Sequence, residues 1–252
     1  MARRRGKRVI QQQIGFGATA DGVRIAYATV GSGPALVVAS YPPSHLGLEW
    51  EEPRVRDFWE AIGRNHLVVR YDKHGSGLSD RNRTDFSLDF EIRTIESIVT
   101  QLRLKSFALW GQGTSGAAAA ISYAIKFPDR LSHLILCNAQ ARWHGPTWGG
   151  TNLDTARALM LSNWRMASLA YAETQLGSEF DAPALQWLLR IWEEAARSFE
   201  LRATISLARL LAKQGRRDEA RTMLAEIYGW FTEGFDTADL KDAKTLFELL
   251  NA

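Results

Sequence analysis

The chain has 252 residues, of which 46% are hydrophobic, 23% charged and 10% aromatic, with nine tryptophans. That composition excludes a disordered chain and supplies a core for one large domain or two small ones. A formal charge of only +3, and no apolar run near the ~18 residues of a membrane span, exclude a broad nucleic-acid-binding face and a membrane-spanning protein.

Taken in chain order, residues 1–13 read as a basic arm. Arg3, Arg4, Arg5, Lys7 and Arg8 carry five positive charges, and subtracting them from +3 leaves −2 for the rest. The arm is the one segment suited to phosphates or an acidic partner, and its simplest reading is a frayed, solvated terminus. No apolar run follows it, so it is not a signal peptide. Alternation over 14–40 predicts strands, with Val23, Ile25 and Tyr27 on one face and a turn at Gly31-Ser32-Gly33-Pro34. The apolar runs 35–39 and 66–71 predict strands buried on both faces. Helices are predicted over 55–62 and 89–104. The second has Phe90, Ile92, Ile95, Ile98, Val99 and Leu102 near one side. A strand over 106–110, a small-residue helix over 115–127, a break at Pro128 and a strand over 131–137 follow. Strands alternating with helices imply a mostly parallel sheet of about six strands with helices on both faces, an α/β fold. The single cysteine, Cys137, excludes an intrachain disulfide, and a cytoplasmic, bacterial setting is expected. After Ala141 the pattern changes: residues 145–150 read as a loop, and 155–176, 183–197, 201–213, 217–231 and 241–250 as helices. The expected organisation is an arm over 1–13, a core over 14–145, a helical cap over 146–198 and a helical tail over 199–252.

Three phrases carry a resemblance. Asp21-Gly22-Val23-Arg24-Ile25-Ala26-Tyr27 reads as an opening hairpin. Tyr71-Asp72-Lys73-His74-Gly75-Ser76-Gly77-Leu78-Ser79-Asp80 matches an Asp-x-x-Gly-x-Gly-x-Ser turn. Phe127-Pro128-Asp129-Arg130-Leu131 is a helix-to-strand passage. Together, residues 14–141 resemble the α/β-hydrolase family. The phrase Leu48-Glu49-Trp50-Glu51-Glu52-Pro53-Arg54 is similar to hydrolase-like domains found in bacterial regulators beside LuxR-type DNA-binding domains or nucleotide cyclases. Neither a helix-turn-helix nor a cyclase domain is evident. Residues 201–250 resemble a tetratricopeptide helix pair of the kind that ends bacterial cyclase or ATPase proteins. One pair cannot form a solenoid, so the tail is expected to dock, to self-associate or to stay loose. The chain reads as two pieces joined near residue 198.

The resemblance implies a nucleophile on a tight turn, Gly-x-Ser-x-Gly, within Leu109-Trp110-Gly111-Gln112-Gly113-Thr114-Ser115-Gly116-Ala117. Three registers are open. If Gly111 leads the motif, Gly113 holds the turn and offers no nucleophile. If Gly113 leads, Ser115 is the nucleophile. Counting back from Tyr123 and Pro128 puts Thr114 there, at the cost of backbone strain. In the first register, Ser115 is rotated roughly 200° about the helix axis from the reactive position. The family order is Ser, then Asp, then His, yet all five histidines, His45, His66, His74, His133 and His144, precede the last hundred residues. An active enzyme would therefore need Ser115 to attack, His144 as an improvised base and the backbone of residues 114–116 as an oxyanion donor. Asp72 and His74 read as structural parts of their turn. Tyr41 and His45, where prolines remove backbone donors, and Trp164 and Trp187 are candidate pocket residues. No ligand spacing suggests a metal and no glycine loop suggests a phosphate cofactor, so none is expected. The expected activity is that of a catalytically impaired hydrolase-like protein. It would bind a small apolar ligand, or a protein partner through residues 199–252, in a regulatory setting. The alternatives are an ester hydrolase with a displaced serine and a helical interaction module.

Overall fold

A computed structural model of the chain describes residues 11–39, 44–81, 85–139, 147–148, 151–152, 182–231 and 238–251, with positions 155, 158, 162–163, 166–168 and 235. Among the described residues, six strands form one sheet. β1 (Gln13–Ala18) pairs antiparallel with β2 (Arg24–Gly31), and β2 pairs antiparallel with β4 (Leu67–Tyr71). From there the sheet is parallel, through β3 (Ala35–Ala39) and β5 (Phe107–Gln112) to β6 (Leu131–Cys137). The order is β1-β2-β4-β3-β5-β6, the α/β, mostly parallel arrangement that the strand–helix alternation predicts.

The central strands are apolar at successive positions because both faces are covered. Val37 and Ala39 of β3 and Val69 and Tyr71 of β4 pack into one core with helices α3 (Leu88–Gln101) and α4 (Gly113–Lys126). The alternate residues Leu36, Val38 and Val68 pack against Trp59 of α2 (Pro53–Gly63). Each helix has a local cause. The Ser87 hydroxyl accepts from Phe90 N at 3.2 Å and caps α3, while Asp89 and Glu91 favour its positive end. α2 opens with Pro53 in its first turn after the Glu52 cap. α4 buries Ala117, Ala119 and Ala120 completely or nearly so, and these small side chains let it lie close on the sheet.

Three features differ from the sequence reading. A short helix α1 (Leu46–Glu51), capped by His45, precedes α2; six residues are too few to show a periodic pattern. Thr147–Trp148 (β7) and Thr151–Asn152 (β8) pair antiparallel where a loop was expected. Finally, the helices expected over 183–197 and 201–213 are one helix, α5 (Ala182–Lys213). Beyond Pro183 it contains neither glycine nor proline, so nothing local ends it near residue 198.

Gly215 (φ +78) turns the chain into α6 (Arg217–Tyr228), and α7 (Ala238–Asn251) follows. The expected helix pair thus has a third partner. Leu201 and Leu211 of α5, Leu224 and Ile227 of α6, and Leu240 and Leu246 of α7 share one apolar cluster. The first half of α5 lies on α1: Trp187 Nε1 donates to Leu48 O at 2.8 Å, and Arg190 pairs with Glu51 at 2.7 Å.

Candidate functional site

The chain passes from β5 into α4 without a loop. Gln112, the last strand residue, has φ −111, and Gly113, the first helical residue, has φ +65. The left-handed backbone falls on the residue that lacks a Cβ, sparing the chain about 1–2 kcal/mol. Of the three registers, the one with Gly113 at the turn is adopted; Thr114 and Ser115 are ordinary residues of the first helical turn. Gly111 fits the leading position of the motif. A Cβ there would meet Ala117 Cα and Ala120 Cβ at 2.7 Å, so the close approach of helix to strand requires a glycine. The turn is built, but the residue at its apex brings no side chain. Gly116, one turn in, is buried.

Ser115 is exposed, and its turn about the helix axis brings it to a partner that the sequence did not indicate. Lys73 Nζ lies 3.4 Å from Ser115 Oγ and 3.2 Å from Glu91 Oε2. Lys73 follows β4 and Glu91 sits in the first turn of α3, so β4, α3 and α4 meet at the carboxyl edge of the parallel strands, where such sheets take ligands. The Lys73 side chain is 6% exposed and that of Glu91 10%. Burial pushes the Lys73 ammonium below the ordinary lysine value, and Glu91 partly opposes this. Tyr71, at the end of β4, is kept well above its ordinary value by burial and by the charge of Glu91.

The neighbouring turn is structural. Asp72 accepts from Leu46 N at 3.1 Å and Leu78 N at 2.9 Å. Ser79 Oγ donates to Asp72 O at 2.6 Å and accepts from Ala26 N at 2.8 Å. Gly77 has φ +52, and a Cβ there would collide with the Asp72 carboxylate. Burial raises the Asp72 carboxyl above its ordinary value despite these donors. The His74 ring packs against Phe86 and Phe90, centroids 4.6 and 4.2 Å away.

Of the other expected site residues, His45 and Trp187 both meet Leu48 of α1. His45 is buried and its Nδ1 accepts from Leu48 N at 3.2 Å, so it serves as the α1 cap. Trp187 uses its indole N–H to hold α5 on α1. His144, Tyr41 and Trp164 lie outside the described residues. Lys73 escaped the sequence reading because it lies inside the Asp-x-x-Gly turn, and Glu91 because its helix was read for its apolar side. The signal for Glu91 was its place between two core residues, Phe90 and Ile92. Among the described residues no group of three or more His, Cys, Asp or Glu is placed to hold a metal ion. No helix among them is long and apolar enough to cross a membrane.

No protein-family profile matches the chain. Uncharacterised proteins of Mycobacterium tuberculosis and Mycobacterium bovis are each 25% identical to it over 158 residues, 63% of this chain and 42% of theirs. The chain therefore spans less than half the length of the curated relatives it matches. Among solved structures, a hydrolase from Pseudomonas aeruginosa superposes with a TM-score of 0.55 at 20% identity, over 71% of this chain and 67% of that one. An esterase from Exiguobacterium antarcticum gives 0.57 at 21% identity, over 71% and 68%. The epoxide hydrolase CorEH gives 0.56 at 20%, over 72% and 68%. These likenesses show the α/β-hydrolase fold.

Proposed function

We propose that this hydrolase-fold protein does not perform the acyl chemistry of the triad enzymes and instead binds a small apolar ligand, or a protein partner, in a regulatory setting. The observation that carries the reading is Gly113 at the φ +65 turn between β5 and α4. A nucleophile-bearing turn without a side chain keeps the scaffold and gives up the attack. The regulatory setting rests on the resemblance to cyclase- and LuxR-associated domains. The tetratricopeptide-like tail over 199–252, with Leu207, Leu210 and Leu249 exposed, is the proposed protein-docking or self-association segment. The helical cap over 146–198 is the proposed cover of the ligand site.

The test is turnover. The purified protein is expected to release no more than one equivalent of product from p-nitrophenyl acetate or a simple epoxide, and to show a ligand-dependent rise in melting temperature with small apolar compounds. Sustained release over many equivalents is the result that overturns the reading. A second reading, an ester hydrolase using a displaced serine, has one specific observation in its favour, the contact between Lys73 and Ser115. Sustained release that is lost in Ser115→Ala would establish it in place of the first.

A further inference from the structure

We propose that Ser115 is a lysine-activated nucleophile that takes an acyl group from small activated esters, with Lys73 as its proton acceptor and Glu91 as the residue that positions Lys73. The proposal concerns a residue two positions beyond the vacated apex. It stands whether the acyl group is then retained, as a covalent form of ligand capture, or hydrolysed.

The geometry supplies the parts a nucleophilic centre needs. Ser115 is an exposed residue at the carboxyl edge of the sheet, the edge open to a ligand. Its Oγ is 3.4 Å from Lys73 Nζ, a separation that shortens readily on substrate binding. The amine is buried and fixed from behind by Glu91 at 3.2 Å, as a carboxylate fixes the base of a triad. The first-turn amides of α4, which Gln112 leaves without a side-chain cap, stand at the same edge as donors for a developing oxyanion. Burial makes Lys73 a better proton acceptor near neutrality than an exposed lysine. The charged or titratable groups that act on it are few: Glu91 comes from α3, the neutral Ser115 hydroxyl from α4, and Tyr71 of β4 acts through Glu91.

In the reaction, the free amine of Lys73 takes the proton from Ser115 as Oγ bonds to the ester carbonyl carbon. The tetrahedral adduct collapses, the bond to the leaving alcohol breaks with its electron pair on oxygen, and Lys73 returns the proton to that oxygen. The products are acyl-Ser115 and one alcohol, and no other reactant is consumed.

The experiment follows p-nitrophenol release from p-nitrophenyl acetate together with intact mass and peptide mapping, on the full chain. One acetyl group per chain, mapped to Ser115, is expected. Ser115→Ala, an exposed change, should remove it. Lys73→Arg keeps the positive charge but cannot accept a proton, and should slow acylation about 10²-fold or more. The acylation rate of the unaltered chain should rise with pH, with a midpoint below that of an ordinary lysine. Glu91→Gln removes the charge that favours the ammonium and should lower that midpoint by about one to three units; a purely structural Glu91 would leave it in place. Circular dichroism and melting confirm that each variant is folded. The lack of both an adduct and Ser115-dependent p-nitrophenol release on the unaltered chain, an adduct mapped to Lys73 or elsewhere, or an unchanged rate in folded Lys73→Arg overturns the proposal and leaves the ligand-binding reading untouched. Acylation without turnover supports both, and acylation with turnover supports this proposal while replacing that reading.

Discussion

Two glycines two residues apart are needed for different reasons, and substitution separates them. At Gly111 the obstacle is space, because an added Cβ meets the backbone of Ala117 at 2.7 Å. Backbone cannot swing aside as a long side chain can, so Gly111→Val is expected to cost about 3 kcal/mol, at the upper end of overpacking changes. At Gly113 the obstacle is conformation, φ +65, and Gly113→Ala should cost about 1 kcal/mol. Urea unfolding of both variants checks the order, and a Gly113→Ala penalty equal to or larger than that of Gly111→Val would contradict this account. Lys73 gives a pH-dependent counterpart. Its native pKa is depressed, so between that value and its ordinary one the unfolded chain binds more protons. The stability it contributes is therefore present above the ordinary lysine value and lost as pH falls through the native one. Measured against Lys73→Arg, which stays charged throughout, the unaltered chain should gain stability as pH rises toward the ordinary lysine value; parallel profiles would contradict the depression. Which residue held the turn was not legible in the sequence, because it depends on where β5 stops. The local pattern ends that strand at Trp110. Pairing of Gly111 with Leu136 and of Gln112 with Cys137 carries it two residues further, and that pairing is set by β6, some twenty residues away.

Among the elements, β3 and β6 match their expected limits to the residue, while α3 starts one residue and ends three residues before its expected limits. Buried strands and a strongly amphipathic helix state their burial in their own sequence. α5 does not, because the expected join at residue 198 came from a change in resemblance rather than from any helix-ending residue. The two views give opposite forecasts for proline. In the middle of a continuous α5 (Ala182–Lys213), Ser198→Pro removes a backbone donor and clashes with the preceding turn, at about 3 kcal/mol. Between two separate helices it would be tolerated, or stabilising by stiffening a linker. A clear loss of melting temperature and of helical circular dichroism is expected; an unchanged melt would restore the two-helix organisation.

At the scale of the molecule, the apolar clusters of the sheet and its helices share no member with the apolar core among α5, α6 and α7. Among the described residues, polar contacts join the two parts. Trp187 donates to Leu48 O, the exposed pair Arg190–Glu51 adds little, and Arg81 reaches Glu194 at 3.6 Å. With an apolar core of its own, the tail should open as a unit while the sheet remains closed. Leu224 is fully buried in the tail core, and Leu224→Ala should cost that core about 2–5 kcal/mol. Under native conditions, amide exchange in α6, α7 and the second half of α5 should accelerate by about thirty-fold or more. Amides of β3 and β5 should keep the rates of the unaltered chain. Equal acceleration in the sheet would mean that one cooperative transition spans both cores. In that case the helical tail would be a structural support of the hydrolase fold rather than a surface free to engage a partner.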